Sequence, residues 1–201
     1  MYNFFFKRLL DIIISFIALV ILSPLLLVIS IINYWSLNES PFFFQDRPGR
    51  NEKKIRIIKF KSMNSNRSKD GILLPDNERI TSFGTFIRKT SIDELPQLIN
   101  VFLGDMSLIG PRPLLFRYIP LYGKEQKRRH DVRPGITGWA QINGRNTISW
   151  YEKFKLDVYY VDNLSLMLDL KILWMTALKV LIREGVNQSE ERPMMPFNGK
   201  N

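Results

Sequence analysis

Two adjacent carboxylates, Asp93 and Glu94, are the residues of this chain whose types and spacing most directly suggest chemistry. Neighbouring ionised carboxylates repel each other unless a cation lies between them, so the pair predicts a metal ion or an arginine nearby. A structural interpretation competes, because Ser91 and Glu94 have the spacing of a capping box at a helix start. Pro96 argues against a regular helix there, since it lacks the amide that would bond to the carbonyl of Ile92. We therefore expect irregular backbone beside the carboxylates.

Two segments rich in glycine and proline carry arginines that suit an anion. Arg112 lies between Pro111 and Pro113, which restrict the backbone on both sides. A guanidinium held this rigidly suits bidentate binding of a phosphate, whereas a structural loop would pair it with Asp105. Residues 133–145 also combine glycine and proline with arginine, and their backbone amides and arginines could bind an anion.

The composition excludes several kinds of site. Cysteine is absent and His130 is the single histidine, which excludes thiol chemistry and the common multi-histidine metal sites. His130 lies in a basic run and is expected on a face that is solvated or contacts lipid phosphates. The net charge is +10, of which Lys7, Arg8 and Asp11 contribute +1, so residues 37–201 carry +9. This charge predicts anionic lipid headgroups or phosphate-bearing substrates as partners, and without a nucleic-acid-binding motif no nucleic acid is expected.

The N-terminal segment at residues 12–32 has no charged side chain and is long enough to span a bilayer. Pro24 near its middle predicts a kink or break, and the hydroxyl of Ser23 can bond to the backbone group that Pro24 leaves free. Cytoplasmic flanks carry an excess of lysine and arginine, so basic flanks on both sides favour a segment that enters and returns on the same face. An ordinary signal anchor with a kinked helix is the alternative. The basic residues are Lys7 and Arg8 before the segment and Arg47, Arg50, Lys53, Lys54 and Arg56 after it.

The rest of the chain mixes short strands and helices. In the last predicted helix, apolar residues recur at helical spacing, which favours a face packed in the core over one that contacts the membrane. These residues are Leu170, Leu173, Trp174, Ala177, Leu178 and Leu181. The predicted elements are a β-hairpin of strands 41–46 and 55–63, a polar loop at 64–77, helices at 81–103 (interrupted near residue 90), 114–130, 149–161 and from 165, and tight turns at 132–146.

These elements predict an α/β protein in three parts. The parts are a re-entrant membrane helix-break-helix at 1–38, a small α+β catalytic domain on the cytosolic face at 39–186 with a β-hairpin and interfacial amphipathic helices, and a C-terminal tail at 187–201.

Motifs in a fixed order over almost the whole chain resemble the bacterial sugar transferase family, the small monotopic phosphoglycosyl transferases. Residues 143–146 and 197–201 are most similar to the members that transfer N,N′-diacetylbacillosamine 1-phosphate for protein N-glycosylation. The motifs are Ser23-Pro24, Arg47-Pro48-Gly49, Lys59-Phe60-Lys61-Ser62-Met63, Arg88, Asp93-Glu94-Leu95-Pro96-Gln97-Leu98, Gly110-Pro111-Arg112-Pro113 and Arg133-Pro134-Gly135-Ile136-Thr137-Gly138-Trp139.

The resemblance implies transfer of a sugar 1-phosphate from a UDP-sugar to undecaprenyl phosphate, with release of UMP, at the cytoplasmic face of the bacterial inner membrane. It also implies a magnesium ion. Asp93 would act as the nucleophile and bind the metal, and Glu94 would orient Asp93, help bind the metal or act as a base. Asp157 and Asp169 are secondary polar candidates that are more typical of structural carboxylates. The expected phosphate-binding residues are Lys59, Arg88, Arg112 and Arg145.

Three alternatives stay open. The same chemistry could use another UDP-sugar for capsule, O-antigen or exopolysaccharide. Transfer could be direct, with Asp93 or Glu94 activating the acceptor instead of forming a covalent intermediate. The chain could also be a non-catalytic, membrane-anchored basic domain that binds anionic lipid.

Overall fold

A computed structural model describes residues 2–144, 148–182, 195–199 and 201, so part of the predicted tail lies outside it. The strands are β1 (Phe42–Pro48), β2 (Lys54–Phe60), β3 (Ser107–Ile109) and β4 (Gly135–Thr137). The α-helices are α1 (Lys7–Leu37), α2 (Asp76–Arg79), α3 (Ser82–Lys89), α4 (Gln97–Leu103), α5 (Lys124–Lys127), α6 (Trp139–Ile142), α7 (Trp150–Asp162) and α8 (Leu166–Ile182). Shorter turns are a π-helical turn at Tyr2–Phe6 and 3-10 turns at Arg50–Glu52, Ile92–Glu94, Phe116–Leu121 and Arg128–His130. The predicted mixture of helices and sheets behind a long apolar helix is confirmed.

Helix α1 continues through Pro24 without a break and is long and apolar enough to cross a membrane. Pro24 has no amide to donate to the carbonyl of Val20, four residues earlier. The Ser23 hydroxyl donates to that carbonyl at 2.8 Å instead. The expected bond from Ser23 is therefore confirmed. The chain stays helical on both sides of Pro24, and the bend expected at this proline stays a prediction.

Both ends of α1 are held by the domain that follows it. Its buried residues lie at the two ends, and none lies between residues 16 and 28. Near the start, Asp11 accepts a hydrogen bond from Ser107 Oγ at 3.1 Å. Near the end, Asn33 Nδ2 donates to the carbonyl of Lys61 at 2.7 Å. The apolar middle is left exposed between two polar attachments.

Strands β1 and β2 form the predicted antiparallel hairpin, which places Arg47 opposite Ile55 and Phe43 opposite Lys59. The turn lies later than the sequence predicts, because β1 includes Pro48. It closes where the Gly49 amide donates to the Lys53 carbonyl at 2.7 Å.

Helix α4 is attached to the hairpin by the side chain of Asn100, which is almost fully buried. Its Oδ1 accepts from the amide of Ile58 at 3.0 Å, and its Nδ2 donates to the carbonyl of Arg56 at 2.8 Å. The amide thus takes the place of a neighbouring strand along β2. Val101 and Met106 pack behind it with the apolar residues of β2, so the chain before α4 is fixed next to the hairpin.

Two predicted regions differ from the structure. Residues 114–130 are not one helix, because Pro120 and Gly123 divide them into a 3-10 turn, α5 and a second 3-10 turn. His130 is buried and not on a solvated face, with Nδ1 lying 3.3 Å from the carbonyl of Gly49.

The apolar stripe of α8 forms core only in part, since Leu173 packs against the buried cluster that contains Ile172. Leu170, Trp174 and Leu178 are exposed, with Trp174 at 67%. The helix packs inward through Ile172, which is fully buried. The alternative interpretation, a face available to the membrane, fits this placement.

Candidate active site

Asp93 and Glu94 lie in the 3-10 turn between α3 and α4. Ser91 has left-handed backbone (φ 56°) and its side chain caps no helix, so the capping-box interpretation is wrong. Helix α4 begins only after Pro96. The predicted irregular backbone is confirmed, and it lets two consecutive carboxylates face the hairpin.

Glu94 is held by two cations that come from distant parts of the chain. Lys59 Nζ on β2 donates to Oε1 at 2.6 Å. Arg112 donates from both terminal nitrogens, with Nη1 lying 3.2 Å from Oε2 and Nη2 bonded to Oε1. Burial alone would raise the pKa of Glu94, but the charges and hydrogen bonds of Arg112 and Lys59 lower it well below its usual range. Such a carboxylate suits positioning the two cations better than accepting a proton.

Asp93 has the opposite electrostatic character. Within the described part of the chain, no cation forms an ion pair with its carboxylate. Burial and the adjacent negative charge of Glu94 raise the pKa of Asp93 to about 6, against the opposing charges of Lys59, Arg112 and Arg88. Asp93 is therefore mostly ionised at pH 7, and its oxygens are available to a substrate.

Three glycines position the loop that carries Arg112. A Cβ atom on Gly135 would lie 2.1 Å from Gly110 N, and one on Gly138 would lie 2.2 Å from Gly110 O. The Gly110 amide donates to the Thr137 carbonyl at 2.9 Å. Only glycine permits this approach of the chain after β3 to β4, so the approach fixes the point from which Arg112 projects.

A buried ion pair supports Arg112 from behind. Arg129 and Asp157 are 3% and 2% exposed, and Arg129 Nη2 donates to Asp157 Oδ2 at 2.8 Å. The same Nη2 donates to the main-chain carbonyl of Arg112 at 2.8 Å. The rings of Tyr122 and Phe154 lie 5.8 and 5.6 Å from the guanidinium. Arg129 therefore positions the Arg112 loop, a role that its place in a basic run did not indicate.

Asp169 has a structural placement. It accepts hydrogen bonds from Tyr2 Oη and Lys7 Nζ, both at 2.6 Å, and from Tyr160 Oη at 2.8 Å. It thus connects the start of the chain to α8.

The predicted site residues come together in part. Lys59, Arg112, Asp93 and Glu94 converge, and Arg88 is exposed on α3 near enough to lower the pKa of Asp93. Arg145 lies outside the described residues. Over the ranges that the structure describes, no group of three or more histidine, cysteine, aspartate or glutamate side chains could hold a metal ion.

We expect Glu94→Gln to move the acidic limb of the pH–rate profile to lower pH. Its negative charge raises the pKa of Asp93, so its removal lowers that pKa. The rate at pH 8 should fall about 10- to 100-fold, because Lys59 and Arg112 lose their common partner. Rates measured from pH 5 to pH 8 test this, with Glu39→Gln, between α1 and β1, as the control. An unmoved limb would contradict the assignment of that limb to Asp93.

Comparison with known proteins identifies relatives over most of the chain. A family model described as bacterial sugar transferase matches residues 2–183. An uncharacterized sugar transferase, EpsL, from Bacillus subtilis is 51% identical over 193 residues, or 96% of each chain. The UDP-glucose:undecaprenyl-phosphate glucose-1-phosphate transferase of Klebsiella pneumoniae is 40% identical over 91% of this chain. The UDP-N-acetylgalactosamine-undecaprenyl-phosphate N-acetylgalactosaminephosphotransferase of Aeromonas hydrophila is 39% identical over 90% of it.

The last two relatives are longer proteins, and this chain matches only 42% and 45% of their lengths. The predicted family and the predicted class of enzyme, a sugar transferase, are confirmed.

Proposed function

Because the chain belongs to the bacterial sugar transferase family, we propose that it transfers a sugar 1-phosphate from a UDP-sugar to undecaprenyl phosphate and releases UMP. The observation that carries this proposal is the contrast between two adjacent carboxylates. Glu94 is neutralised by Lys59 and Arg112, whereas Asp93 is ionised at pH 7 and has no ion-pair partner among the described residues. Two named relatives catalyse sugar-phosphate transfer to the same lipid phosphate.

In the first half reaction, an oxygen of Asp93 attacks the phosphorus that bears the sugar. The bond from that phosphorus to the oxygen shared by the two phosphates breaks, and UMP leaves with the electron pair. In the second half reaction, a phosphate oxygen of the lipid attacks the same phosphorus and restores the Asp93 carboxylate. Lys59 and Arg112 stabilise the charge on the phosphoryl oxygens. A phosphate monoester is largely ionised at pH 7, so this step needs little help from Glu94 as a base.

The donor set fits a magnesium ion only if the substrate supplies most of the ligands. Arg112 and Lys59 occupy the oxygens of Glu94, which leaves Asp93 as the carboxylate that would hold the ion. Magnesium often binds through one or two carboxylates together with substrate phosphates and water. When bound, it would neutralise charge on the diphosphate.

We further propose that α1 is re-entrant and that the enzyme lies on the cytoplasmic face of the inner membrane. Support comes from the attachment of both ends of α1 to one domain and from the exposed apolar face of α8. Basic residues flank α1 on both sides, and such flanks remain in the cytoplasm.

This topology predicts that single cysteines at Phe5→Cys and Ser40→Cys label from the same side of sealed vesicles. Both positions are exposed, and the chain has no cysteine of its own to label. Asp70→Cys, on an exposed loop of the domain, marks the side on which the domain lies. Labelling of Phe5→Cys and Ser40→Cys from opposite sides would establish a spanning helix and overturn the re-entrant topology.

The donor is the finer part of the proposal. The similarity of residues 143–146 and 197–201 supports UDP-N,N′-diacetylbacillosamine and a role in protein N-glycosylation. The relatives named above instead transfer glucose 1-phosphate or N-acetylgalactosamine phosphate, which supports the alternative of another UDP-sugar for polysaccharide synthesis.

Incubation with a UDP-sugar alone tests both the chemistry and the donor. We expect UMP release of about one equivalent and a phosphosugar adduct on Asp93, detected by intact mass and peptide mapping. A panel of UDP-glucose, UDP-galactose, UDP-N-acetylgalactosamine and UDP-N,N′-diacetylbacillosamine identifies the sugar from the adduct mass. Turnover without an adduct would indicate direct transfer. A protein that binds anionic vesicles but releases no UMP with any donor would be the lipid-binding domain.

A further inference from the structure

Two arginines that the mechanism does not use come from segments next to Arg112. Pro48, the residue after Arg47, lines one small cavity with Arg112 and Pro113, and Arg117 follows Arg112 by five residues. Arg47 is near the end of β1, and Arg117 lies in the 3-10 turn Phe116–Leu121, which packs against β1. The hairpin register places Arg47 on the same face as Lys59, because the cross-strand partners of one face alternate along the strands. The charges of Arg112 and Arg117 both act on the guanidinium of Arg47.

These arginines differ from Lys54, Arg56 and Lys59 of β2 in having no acidic partner. Within the described ranges, neither Arg47 nor Arg117 forms an ion pair with a carboxylate. By contrast, Lys59 pairs with Glu94, as described above. Asp46 pairs with Lys54 and Arg56, and Glu39 with Lys61.

The contacts of Arg47 and Arg117 leave their charge uncompensated. Arg47 Nη2 donates to Gln45 Oε1 at 2.6 Å, but its buried Nε has no hydrogen-bond partner. The guanidinium of Arg117 lies 5.3 Å from the ring centre of Tyr118. Burial and the nearby charges of Arg112 and Arg117 lower the pKa of Arg47 to about 10. Three guanidiniums in adjacent segments, two of them without a carboxylate partner, favour the binding of an anion.

We propose that Arg47 and Arg117, together with Arg112, form a second phosphate-binding site beside the Asp93–Glu94 pair. The inference rests on the proposed function, because it assigns this site to one of that reaction's phosphate groups. Arg112 connects the two sites, since its guanidinium bonds to Glu94 and its loop lines one cavity with Pro48, the residue after Arg47. The ligand is a phosphate ester, carried either by the nucleotide that leaves or by the lipid acceptor.

The two half reactions distinguish these sources when Arg47→Gln and Arg117→Gln are compared with the wild type. If the site holds the nucleotide phosphate, adduct formation from the UDP-sugar slows and UMP binds about 10- to 100-fold more weakly in titration calorimetry. If it holds the lipid phosphate, adduct formation is unchanged and discharge of the preformed adduct by undecaprenyl phosphate slows by a similar factor. Either result supports the site.

Controls separate local loss of binding from loss of charge or of fold. Arg56→Gln removes one charge from the same hairpin at an exposed position paired with Asp46, and it should leave both half reactions unchanged. Arg47→Lys restores the charge but not the planar guanidinium, so it should recover only part of the binding.

Arg117 is exposed, so its variant tests the site even if Arg47→Gln unfolds. Wild-type rates for both half reactions in Arg117→Gln and in a folded Arg47→Gln would overturn the inference. The wild-type adduct would still uphold the proposed function in that case.

Discussion

Asp93→Asn is expected to abolish the covalent adduct and to reduce UMP release by at least about 10³-fold. An amide oxygen is a poor nucleophile towards phosphorus and carries no charge for a metal ion. The neighbouring cations remain bound to Glu94, so the variant should still bind donor. UMP release and intact mass are the measurements, and membrane association should not change. Turnover within tenfold of the wild type would exclude Asp93 as the nucleophile.

The same substitution is expected to stabilise the fold. The pKa of Asp93 in the folded protein is about 6, above its usual value of 3.8. The folded state therefore binds this proton more tightly than the unfolded chain does, and its stability falls as the pH rises from about 4 to about 6. Asparagine does not ionise, so its free energy of unfolding should exceed that of the wild type by at most about 3 kcal/mol above pH 6.

Thermal unfolding of both proteins between pH 4 and pH 8 checks this second effect. The difference in melting temperature should grow up to about pH 6 and then remain constant. Asp70→Asn, at an exposed position, should show no such trend. A difference that shrinks with rising pH would mean that ionised Asp93 stabilises the fold, contrary to the raised pKa.

Arg129→Met is expected to destabilise the protein by about 3–5 kcal/mol, because it leaves the carboxylate of Asp157 buried without a partner. It also removes the donor that holds the carbonyl of Arg112. The neighbouring Arg128 is the matched control, since its pairs with Glu125 and Asp162 lie at the surface and Arg128→Ala should cost far less stability than Arg129→Met. Chemical unfolding measures both values.

A double variant separates stability from positioning. Arg129→Met with Asp157→Leu removes both buried charges and should recover much of the lost stability. Adduct formation should remain slow, because nothing replaces the hydrogen bond to the Arg112 carbonyl. A double variant with wild-type rates would show that this ion pair contributes to the fold alone.

Local patterns predicted those parts of the site that local chemistry determines. The proline beside the carboxylate pair indicated the irregular turn, and the prolines around Arg112 indicated a rigid arginine. The prediction that adjacent carboxylates need a cation is confirmed by Arg112 and Lys59 at Glu94. Asp105 is not the partner of Arg112, and it accepts a weak bond from Asn100 at 3.3 Å instead.

The errors concern residues whose environment depends on distant segments. Arg129 and His130 belong to a basic run that resembles a solvated face, yet both are buried. The carboxylate that permits burial of Arg129 is Asp157, 28 residues later, and no local periodicity encodes that pairing. The stripe on α8 was assigned to the core for a related reason: helical spacing identifies an apolar face but not the medium that covers it.

The attachment of α1 at both ends has a consequence for how the protein is made. Asn33 bonds to the carbonyls of Pro41 and Lys61, the residues that flank the two strands of the hairpin. The ribosome releases α1 before the hairpin, so the polar groups of α1 emerge before their partners exist. A chain without α1 would lose the bonds of Asn33 to the Lys61 carbonyl and of Lys7 to Asp169. The Pro41 carbonyl would keep the amide of Lys61, and Asp169 would keep the hydroxyl of Tyr160. The final packing of the hairpin and of α8 therefore requires α1 to be in place, and a fragment that lacks α1 is not expected to reproduce it.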